Sequence, residues 1–186
     1  MCECLVVPEL LREDVSILES RQEVLRPLAE VFPFFAAPEN LQAITPPWLN
    51  FRILTPTPIT MARGAVIDYA IRLRGIPIRW RTRIAEYDPP HGFVDVQIRG
   101  PYRLWEHTHT FEQSTRQDGS LVTAIVDCVR YVPIDIPAWI PLLGGLAHRW
   151  LVRPDLERIF AYRKQRIAEL LGPTVTVRQS GPSSVP

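Results

Sequence analysis

Residues 79–111 read RWRTRIAEYDPPHGFVDVQIRGPYRLWEHTHTF. Apolar and polar side chains alternate through them in three runs, and each run stops at turn chemistry. Ile76 to Tyr87 stops at Asp88-Pro89-Pro90-His91-Gly92, Phe93 to Arg99 at Gly100-Pro101, and Tyr102 to Gln113 at Asp118-Gly119. Alternation of this kind is the mark of half-buried strands, and Gly, Pro and Asp supply the tight connections. The pattern extends both ways. Upstream lie Trp48 to Thr55 and Ala65 to Arg74, the latter stopped by Gly75; downstream lies Leu121 to Val132, ended by Pro133. Sequential strands tend to be neighbours, so the reading is an antiparallel meander.

The flanks differ. Residues 14–25, DVSILESRQEVL, partly alternate and predict a first strand. Pro27 suits a helix N-terminus, and PLAEVFPFFAAPENLQAI predicts two short helices broken near Pro38. Val31, Phe34 and Phe35 make one apolar face there. Residues 133–145 form a Pro/Gly-rich connector, followed by a helical pattern from Gly145 to Leu171 that Pro154 interrupts. Leu156, Phe160, Ile167 and Leu170 share its stripe, with Arg163 in the middle, and Gly172-Pro173 stops it. The expected organisation is a loose leader at 1–13, one domain at 14–172 and a disordered tail at 173–186.

The order of these elements resembles the START-like, or SRPBCC, superfamily. The residues carrying the resemblance are VFPFFAAPENLQAITPPW at 31–48, the stretch 79–111, VRYVP at 129–133 and LERIFAYR at 156–163. The chain looks similar to bacterial polyketide cyclase/dehydrase-like or ligand-binding members. The resemblance implies an α+β helix-grip fold: a curved antiparallel sheet of about 6–7 strands wrapped around a long C-terminal helix, with two short helices after the first strand. It also implies a hydrophobic small molecule held between sheet and helix. It supplies no shared catalytic motif.

Composition narrows the function. The chain has 186 residues, 46% hydrophobic, with a net charge of +1. That balance argues against nucleic acid as a partner. No apolar run approaches the ~18 residues of a membrane span. The first residues, MCECLVVPELLRED, lack a basic region and a long apolar core, so the expected location is the cytoplasm. Monomer and homodimer are both compatible with the sequence, and no cofactor motif is present. Cys128 lies in an apolar strand and reads as a small buried hydrophobe; no disulfide is expected with Cys2 or Cys4.

Face assignment selects the candidate site residues. On Tyr102–Gln113, Arg103, Trp105, His107, His109 and Phe111 share a face, taken as the inner one because of its aromatics. On the last strand, Thr123, Ile125, Asp127, Val129 and Tyr131 are taken as inner, although both faces carry apolar residues. His107 or His109 then meets Asp127 across neighbouring strands. A carboxylate beside imidazole raises its pKa and fixes its tautomer, which suits acid–base work. His-x-His is also a two-ligand metal geometry, but with no third ligand in view no metal is assigned. Arg163 on a buried stripe is costly unless paired, and Asp127 is the candidate partner. Tyr69, Trp80, Phe93, Tyr131 and Trp48 are candidate cavity walls beside Trp105. Arg79, Arg81 and Arg83 share the face opposite Trp80 and read as solvated.

Three functions follow as expectations. The first is binding of a mostly apolar molecule such as a lipid, quinone or polyketide, oriented by His107, His109, Asp127 or Arg163. The alternative is a cyclase or dehydratase using the same His/Asp group as acid and base. The third is a regulatory or stress protein docking a partner through its arginine-rich hairpin.

Overall fold

Seven alternating segments assemble into one antiparallel sheet in the order β1-β7-β6-β5-β4-β3-β2. The computed structural model describes residues 15–133 and 152–172. The expected leader, nearly all of the connector after Pro133, His148 and the expected tail lie outside the described residues. The strands are β1 (Ser16–Val24), β2 (Arg52–Ile53), β3 (Val66–Leu73), β4 (Ile76–Asp88), β5 (Gly92–Arg99), β6 (Tyr102–Thr115) and β7 (Leu121–Pro133). Two short helices, α1 (Leu28–Phe35) and α2 (Leu41–Ile44), follow β1, and α3 (Arg153–Leu171) is the last described element. β2 to β7 are a meander, and β1 crosses over to pair with β7.

Local chemistry sets the turns. Arg74 and Gly75 take φ of 50° and 84°, the left-handed pair that a two-residue hairpin between Leu73 and Ile76 requires. Gly92 serves closeness instead. A side chain there would collide with the His109 carbonyl oxygen on β6. Its absence lets β5 lie tight against the strand that carries both histidines. Register shifts between Arg81 and Thr82 and between Ile84 and Glu86 bend β4 against β5.

Several expectations change. Trp48 to Thr55 is not one strand; only Arg52–Ile53 pairs, because Pro46 and Pro47 cannot feed a ladder and Asn50 turns left-handed at φ 44°. A register shift between Tyr102 and Leu104 turns Arg103 outward, so Tyr102 and Trp105, three apart, both face inward. Pro154 sits in the first turn of the described helix, where its missing N–H costs nothing. The buried stripe of α3 runs through Leu156, Phe160 and Ile167, while Leu170 is exposed and Leu171 packs on the core instead. Cys128 is disulfide-bonded, against the expectation; Cys2 and Cys4, the other cysteines of the sequence, lie outside the described residues.

The main core joins α1 to the sheet through Val31, Phe32, Phe35, Phe93, Phe111 and Ile125. A second cluster, Val129, Tyr131, Leu156 and Phe160, joins α3 to β7. A third, Phe51, Ile71 and Trp80, closes the β2–β4 side. Between the three lies a cavity. Among the described residues, no helix is long and apolar enough to cross a membrane.

Candidate functional site

The cavity holds about 390 Å³. α1 and α2 give it Phe34, Phe35, Leu41 and Ile44; the strands give Ile67, Ile71, Ile84 and Phe93; α3 gives Ile159 and Phe160. Its aromatic wall is built on Trp80, stacked on Tyr69 at 5.8 Å and edge-on to Trp105 at 5.1 Å. Burial pushes the Tyr69 and Tyr102 phenols up, so both remain neutral donors. The Trp80 indole N–H is buried with no hydrogen-bond partner among the described residues. At the rim, Arg74 makes a two-bond pair with Asp155 at the start of α3, at 2.8 and 3.1 Å.

One wall is charged. β6 presents His107 and His109 on the same face because they are two apart, and β7 places Asp127 directly opposite His109. His107 Nε2 lies 3.2 Å from Asp127 Oδ1, and His109 Nδ1 lies 2.8 Å from the same oxygen, off the hydrogen-bonding line. β5 adds Asp95, whose Oδ1 is 3.4 Å from His109 Nε2 and 3.7 Å from His107 Nδ1. Thr82 Oγ1 donates to Asp95 Oδ2 at 3.2 Å. Arg163 reaches in from α3, its Nε 3.6 Å from Asp127 Oδ2 and its guanidinium over the Phe35 ring. Phe93 stacks on His109 at 4.2 Å.

The electrostatics follow from these neighbours. Burial alone would raise the Asp127 carboxyl, but Arg163 and the two imidazoles outweigh it and hold it well below its ordinary 3.8. Burial opposes ionisation of Asp95 too, and His109, His107 and Thr82 overcome it. Burial and the His109 charge lower His107. Burial also works against charging His109, yet the carboxylates of Asp127 and Asp95 raise it above 6.5. The Arg163 guanidinium and the two imidazoles offset the two carboxylates, which is how a cluster this buried keeps its acids ionised.

Both carboxyls bind fewer protons folded than unfolded. Their contribution to stability is complete above pH 3.8 and is lost as pH falls through that value towards the depressed folded ones. Arg163→Met is expected to raise the Asp127 titration and move acid unfolding to higher pH. Carboxyl NMR reads this directly, and an unchanged Asp127 titration would refute the ion pair.

Of the residues selected from sequence, Tyr69, Trp80, Phe93, Trp105, His107, His109 and Arg163 line the cavity. Two others stand elsewhere. Asp127 is behind the histidines, and Tyr131, 1% exposed, packs with Val129, Leu156 and Phe160 away from the lining. Trp48 is no wall: it is 44% exposed and packs on Tyr162 and Arg158. Arg79, Arg81 and Arg83 face outward, Arg81 pairing with Asp68. Asp95 is a site residue that the face assignment from sequence misses. The signal is in the alternation, since Asp95 lies two residues on from the inward Phe93.

A curved antiparallel sheet closed on a C-terminal helix over an apolar cavity is the helix-grip fold. No family model and no curated protein matches the sequence. Solved structures do. The Zhui aromatase/cyclase from Streptomyces sp. R1128 is similar at a TM-score of 0.64 and 17% identity, over 83% of this chain and 92% of that one. Ginseng major latex-like protein 151 from Panax ginseng is similar at 0.57 and 10%, over 86% and 99%. Ara h 8.0201 is similar at 0.53 and 15%, over 83% and 99%. At these identities the likeness is one of fold.

Proposed function

We propose that the chain binds a hydrophobic small molecule in the cavity between sheet and α3. The observation that carries this is the cavity itself: about 390 Å³, walled by apolar and aromatic side chains, with a few convergent polar groups. That is the size and make-up of a ligand pocket, usually ~300–1,000 Å³. Burying apolar surface drives uptake at ~25 cal/mol per Å². Among the described residues the buried Trp80 N–H and Arg163 Nη2 have no hydrogen-bond partner, so both are donors open to a ligand's acceptors. A ligand with an apolar body and carbonyl, hydroxyl or carboxylate oxygens satisfies both. The named lipid, quinone and polyketide classes share that chemistry.

A second reading rests on the charged wall. His107, His109 and Asp95 face the cavity as a proton-handling group, and one structure of similar fold is an aromatase/cyclase. The chain would then be a cyclase or dehydratase acting on a poly-β-ketone.

Native mass spectrometry of the purified chain, with uptake of an apolar fluorescent probe, tests the first reading. Near-unit occupancy by a co-purified molecule, or probe uptake that quenches the cavity tryptophans, is expected. A chain that carries nothing and takes up no probe overturns it. His109→Ala separates the two readings. A binder changes affinity only, whereas an enzyme loses ~10²–10⁴-fold in turnover of a poly-β-ketone.

A further inference from the structure

We propose that Asp95, His107 and His109 form a binding site for one divalent first-row transition ion, zinc or ferrous iron, on the cavity wall. Each offers a ligand atom, and the three lie within 4.8 Å of one another. Asp95 Oδ1 is 3.4 Å from His109 Nε2 and 3.7 Å from His107 Nδ1. These spacings are long for hydrogen bonds, which centre near ~2.9 Å. They suit atoms that share a metal: two bonds of ~2.0–2.1 Å at a tetrahedral angle put ligand atoms ~3.3 Å apart.

The backbone fixes this set. His107 and His109 are two apart on β6, and Asp95 pairs with His107 in the β5–β6 register. Gly92 holds the two strands at close approach. Asp127 supplies the second observation. Each imidazole turns one nitrogen towards Asp95 and the other towards Asp127 Oδ1. A carboxylate behind a metal-binding imidazole sets its tautomer and strengthens it as a donor; Asp127 Oδ1 does so for His107, its hydrogen-bond partner at 3.2 Å, and lies 2.8 Å from His109 Nδ1. Arg163 occupies the other oxygen of Asp127, Oδ2, and leaves Oδ1 to the histidines.

Two imidazoles and one carboxylate form the donor set that binds zinc in hydrolytic sites and ferrous iron in open facial sites. The ligands line the cavity and Asp127 does not, so the remaining coordination positions open inward. Water or an oxygen of a bound molecule completes the shell there. The site does not depend on the ligand reading; an ion-free result leaves the apolar cavity as it is.

The test is titration of the chelator-stripped full chain with Co²⁺ as spectroscopic probe, followed by displacement with Zn²⁺. One equivalent of Co²⁺ with visible ligand-field bands is expected, together with shifts of the His107 and His109 ring signals and none at His91 or His148. Asp95→Ala and His109→Ala abolish the bands. Asp127→Asn, which keeps its shape, weakens affinity ~10–100-fold. Absence of bands and of retained Zn²⁺ in the folded wild type overturns the proposal. So does binding that survives Asp95→Ala or moves only other histidines. The wild-type ring shifts decide the matter even if a variant fails to fold.

Discussion

Asp127→Ala is expected to lower the unfolding free energy by about 3–5 kcal/mol, the usual cost of stripping one partner from a buried charge pair. Asp127 is 3% exposed and sits at the centre of the charged wall. One oxygen faces both imidazoles, at 3.2 and 2.8 Å, and the other faces Arg163 at 3.6 Å. Alanine leaves the guanidinium and the two imidazoles in the same buried space with only Asp95 as a counter-charge. A domain holds ~5–15 kcal/mol in total, so the variant is marginal. The loss comes from the charges left behind, so Arg163→Met in the Asp127→Ala background should return part of it. A coupling of ~0.5–3 kcal/mol is the expected size. Urea unfolding of the four proteins in the cycle measures it. A single-variant loss below ~1 kcal/mol, or strict additivity, would show that the cluster is not held by its charge balance.

This wall was mostly legible in the sequence because alternation is a strong constraint. Once Trp105 and Phe111 are placed inward, His107 and His109 must follow, and inward Ile125 and Val129 bring Asp127. Arg163 was visible as a charge on an apolar stripe. What alternation does not show is depth along the strand. Tyr131 faces inward as expected, but Leu156 and Phe160 fill the space above it, so it joins the core and not the cavity. A bulge breaks the parity that put Arg103 beside Trp105. Trp48 follows two prolines that cannot enter a ladder, and its size says nothing about its burial. Asp95 shares the parity of Phe93, but an acidic residue in a strand reads first as solvent-facing. It faces inward because Thr82 and the two histidines satisfy it there.

The same distinction between core and cavity predicts how aromatic truncations differ. Phe111→Ala is expected to cost about 3–5 kcal/mol, the range for emptying a packed phenylalanine site. Phe111 is 1% exposed, outside the lining, and its ring meets Phe32 at 5.5 Å, Phe35 at 5.0 Å and Phe93 at 6.3 Å. It is the seat on which α1 rests. Removing it also withdraws support from Phe35, the ring under Arg163, so affinity for an apolar probe falls along with stability. Phe160 is buried as well, but one side of it already borders the cavity. Phe160→Ala therefore loses fewer packing contacts and enlarges a space a ligand can fill. Its stability loss should be the smaller of the two, and a saturating apolar ligand should raise its melting temperature more than that of the wild type. Thermal melts with and without probe separate the cases. Equal costs for the two variants, or unchanged probe affinity in Phe111→Ala, would mean that α1 does not hold the cavity open.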